Sequence, residues 1–213
     1  MSIPKNRPPL SGSRRGHYFD PAPAVESKPR ILHLHLGELA FELQADRGVF
    51  ASKGIDLGTL TLLREAPPPP AEGDVLDLGC GYGPIAITLA RLAPAARVWA
   101  VDVNERALDL ARANATAAHV SNVTICAPDK VPEGVRFAAI YSNPPVRVGK
   151  GPLHDLLLHW LPKLSPGGSA YLVVQRNLGS DSLAAWLVAE GFDVRRLKAK
   201  KGYRILEVVA PAS

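Results

Sequence analysis

Apolar and polar residues recur along the chain with two different periods. ILHLHL and LAFELQAD alternate with period two on either side of a short turn, which predicts a β-hairpin. Residues 55–66 carry apolar side chains at helical spacing, and four prolines at 67–70 must end that helix because proline cannot continue it. The chain therefore opens with a hairpin, a helix and a stiff connector.

Short apolar runs and amphipathic stretches take turns from residue 74 onward. The runs VLDLG, ARVWAVD, NVTIC, FAAIYSN and SAYLVV predict strands, and residues 84–92, 105–117, 153–164 and 182–190 predict helices. Strand and helix in alternation indicate a doubly wound, parallel α/β sheet. The last two strands, DVRRLKA and YRILEVVA, are joined by a turn too short for a crossover helix, so they must pair antiparallel. We predict seven strands, mostly parallel, with the antiparallel strand at the C-terminus.

Composition adds a boundary and limits the class of protein. Residues 1–29 are rich in proline, serine, glycine and basic residues, which predicts a flexible arm before one domain at 30–213. Within it, residues 30–66 form the hairpin and helix, and residues 71–213 form the core. Two cysteines are too few for a disulfide scaffold, and no apolar run resembles a signal peptide or a membrane span. We expect a cytoplasmic protein with no membrane partner.

Positive charge gives a hint about partners. The formal net charge is +5, which favours polyanions. Basic residues concentrate in the N-terminal arm and in a late basic run, but a solvated surface explains such a run equally well. The late basic run consists of Arg195, Arg196, Lys198, Lys200, Lys201 and Arg204.

The stretch VLDLGCGYG places an acid, Asp77, at the end of a strand and glycines at alternate positions after it. Glycines allow a tight turn and close approach of a ligand to the backbone. A dinucleotide-binding loop reads G-x-G-x-x-G and carries a pyrophosphate, which Asp77 would repel. The spacing here favours a ligand with an ammonium or sulfonium group. Asp102, which ends the next strand, can accept hydrogen bonds from ribose hydroxyls.

These residues resemble the class I S-adenosylmethionine-dependent methyltransferases, in which an acid-led glycine loop follows the first strand and an acid follows the second. The resemblance implies S-adenosylmethionine as cofactor and no metal. It assigns to the cofactor site Asp77, Gly79, Cys80, Gly81, Tyr82, Gly83, Asp102, Val103 and Asn143.

Asn143-Pro144-Pro145 follows the fourth strand of the predicted sheet, at the carboxyl edge where ligands of α/β proteins bind. The Asn143 side-chain oxygen and the Pro144 carbonyl can accept the N–H groups of an amine and stabilise the charge it gains during methyl transfer. Among the methyltransferases that the chain resembles, a motif of Asn or Asp followed by two prolines and an aromatic residue marks enzymes that methylate planar nitrogens. These nitrogens are adenine N6, guanine N2 or a glutamine amide. Val146 departs from the aromatic form.

A wider resemblance covers nearly the whole chain after residue 16. HYFDPAPAVESKP, DRGVFASKGIDLGT, SNPPVRVGK, LSPGG and KKGYRILEV are similar to a family of small-subunit rRNA guanine-N2 methyltransferases and its shorter single-domain relatives. It implies that rRNA or the assembling small ribosomal subunit is the partner. It adds Phe50, Lys53, Gly58, Thr59 and Asp129 to the cofactor site, and Val146, Arg147 and Lys150 to the substrate site.

Three other functions stay open from the sequence alone. A protein glutamine N-methyltransferase would share the Asn-Pro-Pro chemistry, a non-catalytic RNA-binding module would share the fold, and a nucleotide-dependent oxidoreductase would share a glycine loop. His154, close to Asn143 in sequence, is interpreted as structural or RNA-contacting, because a methylated amine needs no strong base. The oligomeric state is not predicted.

Overall fold

The computed structural model describes residues 28–47, 49, 54–146 and 149–209. Residues 1–27 of the predicted arm lie outside this part of the chain, so the arm stays a prediction. Within it, a hairpin precedes a seven-stranded sheet flanked by five α-helices. The strands are β1 (Arg30–Leu36), β2 (Leu39–Ala45), β3 (Glu72–Leu78), β4 (Ala95–Val101), β5 (Val123–Cys126), β6 (Phe137–Ser142), β7 (Leu164–Gln175), β8 (Asp193–Lys200) and β9 (Tyr203–Val209). The helices are α1 (Leu57–Glu65), α2 (Pro84–Leu92), α3 (Glu105–Ala117), α4 (Lys150–Trp160) and α5 (Ser180–Ala189).

The sheet has the strand order β5-β4-β3-β6-β7-β9-β8. The first five of these are parallel, and β9 runs antiparallel to both of its neighbours. The predicted fold class is therefore confirmed, including the antiparallel C-terminal pair and the N-terminal hairpin. One helix boundary was wrong: α4 ends at Trp160 because Pro162 lacks the N–H that a further turn requires, and β7 begins at Leu164.

Helices cover both faces of the sheet, as a parallel sheet requires. On one face, α4 and α5 bury Leu157, Trp160 and Leu187. On the other, α1 and α2 bury Leu62 and Leu89. Polar side chains are consequently confined to the strand ends, where the candidate site lies. None of the helices in the described ranges is long and apolar enough to cross a membrane.

The N-terminal hairpin is fastened to the sheet through α3. Leu34 and Leu43 are fully buried in a third apolar cluster shared with that helix. Beside them, the buried Asn114 accepts a hydrogen bond from Gln44 N–H at 2.7 Å and donates to the Gln44 carbonyl at 2.8 Å. Its amide also donates to the Tyr82 carbonyl at 2.8 Å. One side chain thus ties the hairpin to the loop that follows β3.

Asn114→Ala should destabilise the protein, because it leaves buried backbone groups of Gln44 and Tyr82 without these partners. We expect a loss of about 2–3 kcal/mol in the free energy of unfolding and a fall in Tm of about 5–10 °C, measured by circular dichroism. Thr116→Ala, at an exposed position on the same helix, is the control. A loss no larger than in the control would contradict the role of Asn114.

Candidate functional site

The end of β3 carries a completely buried carboxyl group. Asp77 is 0% exposed, and its Oδ2 accepts a hydrogen bond from Ala86 N–H, in the first turn of α2, at 2.9 Å. Its Oδ1 has no hydrogen-bond partner within the described residues. Buried acceptors without partners are uncommon in folded proteins. Oδ1 is thus available to a donor or a cation brought by a ligand.

Burial also makes Asp77 hard to ionise. Desolvation, with the negative charge of Asp102 adding to it, raises the pKa of Asp77 to about 8, although the hydrogen bond from Ala86 opposes the shift. The unliganded protein consequently keeps this carboxyl group mostly protonated at neutral pH. A cation next to Oδ1 would favour the ionised form, so the group suits a positively charged ligand.

The glycine loop is held against the end of β4. The N–H groups of Gly79 and Cys80 both donate to the Val101 carbonyl at 2.9 Å. Gly81, whose φ of +54° is a left-handed value that glycine adopts without strain, donates to Asp102 Oδ2 at 2.9 Å. Burial raises the pKa of Asp102. The structure thus brings Asp77, the loop and Asp102 together, while their contact with a cofactor stays a prediction.

Asn143 follows β6, and its amide nitrogen donates two hydrogen bonds within the protein. Its Nδ2 donates to Asp56 Oδ2 at 2.7 Å and to Thr59 Oγ1 at 3.1 Å. Asp56 Oδ2 also caps α1 by accepting a hydrogen bond from Thr59 N–H at 3.1 Å. With both donor hydrogens directed at these partners, the side-chain oxygen of Asn143 is the part of the amide left for a substrate.

The two prolines after Asn143 stop the strand and turn the chain. The Pro144 carbonyl accepts a hydrogen bond from Val146 N–H at 2.8 Å, which occupies one of its two lone pairs. Val146 packs against the apolar cluster between the sheet and helices α4 and α5. Val146 is thus half-buried by this packing, and its contact with a substrate stays a prediction.

Gly58 leaves room for the ring of Tyr203 near Asn143. A Cβ at this position would lie 2.7 Å from Asp56 Oδ2, 2.9 Å from Tyr203 Cε1 and 3.2 Å from Asn143 Nδ2. A side chain cannot be accommodated at such distances without displacing these groups. Glycine at position 58 thus lets the ring of Tyr203, at the start of β9, approach the amide of Asn143.

The structure describes only some of the remaining predicted site residues. Phe50, Lys53 and Arg147 lie outside the described residues. Lys150 begins α4 and is exposed, and Val103, directly after Asp102, is half-buried. Their assignments stay predictions.

Four further side chains of interest are exposed or packed within the protein, and their contact with a ligand stays a prediction. Asp129 is exposed and lies 3.0 Å from Lys130 Nζ. Cys80 is buried, which raises the pKa of its thiol and makes it a poor nucleophile. His154 stacks on Trp186, with ring centroids 3.6 Å apart. The ring of Tyr82 is buried beneath the hairpin, where desolvation and the charge of Asp56 raise its pKa.

The late basic run is largely neutralised by acidic side chains. Two ammonium groups flank Glu65, at 2.7 and 3.2 Å, and hold the pKa of that carboxyl below its ordinary value. Surface ion pairs of this kind leave little net field for a polyanion. The pairs are Lys198 and Lys200 with Glu65, Arg195 with Asp193 and Glu207, and Arg196 and Arg204 with Asp181.

Two residues that the sequence reasoning missed stand in this site. Asp56 has a sequence signal, since an acid directly before a helix is a common cap, but that signal does not point to Asn143. Tyr203 has only a topological signal: it starts a strand beside the carboxyl end of β7, where it pairs with Gln175. Both contacts join segments that are distant in sequence.

Comparison with known proteins adds a family. The family described as Methyltransferase small domain matches residues 40–207. The chain is 34% identical over 194 residues to the uncharacterized protein YbxB of Bacillus subtilis (strain 168), covering 90% of this chain and 96% of that protein. It is 36% identical over 144 residues to ribosomal RNA small subunit methyltransferase C of Shewanella amazonensis (strain ATCC BAA-1098 / SB2B), covering 64% and 41% of the two chains.

A solved structure has a similar fold. The T. thermophilus 16S rRNA N2 G1207 methyltransferase (RsmC), in complex with AdoMet and guanosine, superposes with a TM-score of 0.74 at 25% sequence identity. The match covers 88% of this chain and 52% of that chain. The chain thus spans about half the length of the rRNA methyltransferases it matches, and almost the whole length of YbxB.

Asp77→Asn should stabilise the unliganded protein, and more so at pH 8 than at pH 5. Between pH 4 and about pH 8 the folded state keeps the Asp77 proton that the unfolded state releases, so the free energy of unfolding falls as pH rises through this window. Asparagine does not titrate. We expect the difference in Tm between the variant and the unchanged protein to widen by several degrees from pH 5 to pH 8.

Asp109→Asn, at an exposed position on α3, is the matched control and should leave the difference in Tm unchanged with pH. A constant difference in Tm for Asp77→Asn would show that this carboxyl group does not titrate in that window.

Proposed function

The chain belongs to the family of the Methyltransferase small domain, and we propose that it transfers a methyl group to an exocyclic amine of a base in RNA. The acceptor that we propose is guanine N2 of small-subunit rRNA. The observation that carries the proposal is the position of Asn143. Its strand is paired with β3 so that Tyr141 lies opposite Asp77, and Asn143 therefore follows at the same end of the sheet as the glycine loop.

The cofactor of this family is S-adenosylmethionine. When bound, it supplies an electrophilic methyl group on a positively charged sulfur. The unpartnered Oδ1 of Asp77 suits the ammonium group of its amino-acid part, because that contact supplies both the missing hydrogen bond and the opposite charge. Asp102 accepts backbone hydrogen bonds from Gly81 on Oδ2 and from Asn104 on Oδ1, and we propose that its remaining lone pairs accept from ribose hydroxyls.

Asn143 and Pro144 provide what a base amine needs to react. The amine is a weak nucleophile because its lone pair is shared with the ring, and its nitrogen becomes positively charged as it takes the methyl group. Asn143 Oδ1 and the Pro144 carbonyl each accept one N–H, which stabilises that charge and directs the lone pair. The product then loses a proton to water, so His154 can remain stacked on Trp186.

Support for RNA as the substrate comes from several sources. Two similar proteins bear the names of rRNA methyltransferases, and one of them was crystallised with guanosine. The net charge of +5 favours a polyanion, and Lys150 is exposed next to the Asn-Pro-Pro turn. Arg147 is proposed to act with it. We also propose that a base stacks on the half-buried ring of Tyr203, which lies beside Gly58.

The proposal is tested by the product of the reaction. Purified small subunits, naked rRNA and a ribosome-free protein extract are each incubated with the protein and radiolabelled S-adenosylmethionine, and labelled nucleosides are separated. We expect label in N2-methylguanosine. Label only in glutamine of a protein would replace the RNA assignment, and binding of the cofactor without any transfer would indicate a non-catalytic module.

Substitutions of Asn143 and Asp102 should affect catalysis and cofactor binding separately. Asn143→Ala removes the acceptor for the amine, so we expect kcat to fall by about 100-fold or more with the Kd for S-adenosylmethionine nearly unchanged. Asp102→Ala removes contacts to the ribose, so we expect that Kd to rise by about 10-fold or more. Calorimetry and single-turnover rates measure the two quantities, and an equal loss of cofactor affinity in both variants would contradict these roles.

Tyr203 should act on the RNA and not on the cofactor. Tyr203→Leu removes the stacking surface, so we expect the KM for RNA to rise by about 10-fold while the Kd for the cofactor is unchanged. Tyr203→Phe keeps the ring and is the matched control. Equal kinetics of the leucine and phenylalanine variants would show that stacking on this ring contributes nothing.

A further inference from the structure

Asp56 is linked to Asn143 across a long separation in sequence. It lies at the N-terminus of α1, whereas Asn143 lies at the end of β6, yet Asn143 Nδ2 and Asp56 Oδ2 are 2.7 Å apart. A hydrogen bond to an ionised oxygen is stronger than one between neutral groups. Thr59 supplies a second acceptor for the same Nδ2 at 3.1 Å. The oxygens of Asp56 and Thr59 thus fix the orientation of the Asn143 amide, with its nitrogen turned toward them.

The orientation of this amide decides what the site can accept. A primary amide presents either two N–H donors or one oxygen acceptor, depending on a rotation that exchanges its two ends. With Nδ2 facing Asp56 and Thr59, the oxygen faces the site. The site therefore accepts an N–H group and rejects an acceptor that offers only lone pairs, such as a carbonyl or a ring nitrogen without hydrogen.

We propose that Asp56 is a positioning residue for methyl transfer: it holds the Asn143 amide with its oxygen toward the acceptor and thereby restricts the reaction to amines. This inference rests on the proposed function, because it takes Asn143 as the group that meets the amine. Asp56 acts through Asn143 and does not touch the substrate.

The hydrogen bond between Asp56 and Asn143 lies in a closely packed part of the protein. Gly58 is buried, and its Cα lies among Asp56, Tyr203 and Asn143 without space for a Cβ. The next residue, Thr59, is also buried and bonds to both Asp56 and Asn143. The start of α1 is thus packed directly against the end of β6. A rotation of the Asp56 side chain away from Asn143 would also break the hydrogen bond that caps α1.

Capping and positioning by Asp56 can be separated by substitution. Asparagine and serine cap helices about as well as aspartate, so both keep the hydrogen bond from Thr59 N–H. In Asp56→Asn the amide oxygen can take the place of Asp56 Oδ2 and accept from both Thr59 N–H and Asn143 Nδ2, because both hydrogen bonds end on that one oxygen. In Asp56→Ser the side chain is too short to reach Asn143. Both variants therefore keep the helix, and only the serine variant loses the orientation of Asn143.

The decisive experiment compares these two variants. We expect Asp56→Ser to lose about 100-fold in kcat for RNA methylation and Asp56→Asn, which keeps the acceptor oxygen, to keep most of its kcat. In an Asn143→Ala background there is no amide to orient, so adding Asp56→Ser should lower kcat little further, which is coupling that independent sites do not show.

Stability and cofactor binding provide the controls. The Tm and the Kd for S-adenosylmethionine should change little in Asp56→Asn and Asp56→Ser, and Asp109→Asn, the same substitution at an exposed site, should keep full activity. An unchanged kcat in Asp56→Ser, an equal loss of kcat in Asp56→Asn and Asp56→Ser, a further large loss on adding Asp56→Ser to Asn143→Ala, or a loss of Tm that accounts for the loss of kcat would overturn the proposal.

One readout does not depend on RNA as the substrate. The side-chain NH₂ signals of Asn143 in a ¹⁵N spectrum, assigned by their disappearance in Asn143→Asp, should shift and exchange faster with water in Asp56→Ser. If they do, and methyl transfer occurs to a protein amide instead of RNA, the proposed substrate fails while the role of Asp56 holds for that acceptor. Unchanged NH₂ signals would overturn the role of Asp56 alone, and no transfer to RNA or protein would overturn both.

Discussion

The parallel alignment of five neighbouring strands is the constraint on which the site depends. Parallel strands need crossover helices, these helices cover both faces of the sheet, and the strand interiors are then almost entirely apolar. Side chains that carry charge or bind ligands are left with the strand ends. Because β3, β4 and β6 end at one edge, Asp77, Asp102 and Asn143 meet there although they are far apart in sequence.

Polar groups at that edge are stable only if they find partners, and the protein supplies nearly all of them. Asp102 accepts backbone hydrogen bonds on both oxygens, and Asn143 donates from its nitrogen. Asp77 Oδ1 is the exception. Asp102 and Asn143 are therefore held in place before a ligand arrives, so these side chains lose little conformational freedom on binding. Asp77 Oδ1 is buried without a partner in the described part of the chain, and a charged ligand there can offset the cost of its desolvation.

The sequence predicted those parts of the fold and site that depend on local patterns. The periodicity of apolar residues in strands and helices predicted the parallel sheet. The glycine loop and the Asn-Pro-Pro turn marked two of its strand ends. Asp56 and Tyr203 were missed because their importance comes from the packing of α1 against β6 and β9, which no local pattern encodes. The role of the late basic run stayed open for a related reason: its acidic partners Glu65 and Asp181 lie in other elements, so the run alone does not show which charges are paired.

That run has a consequence for how copies of the protein meet in solution. β8 is the last strand of the sheet, and its side chains are exposed along most of its length. An open sheet edge can pair with the edge of another chain and start aggregation. Long charged side chains along β8 and the register shift between Arg196 and Ala199 oppose such pairing. The long charged side chains of this edge, even where they are paired with acids, therefore guard against strand-to-strand self-association.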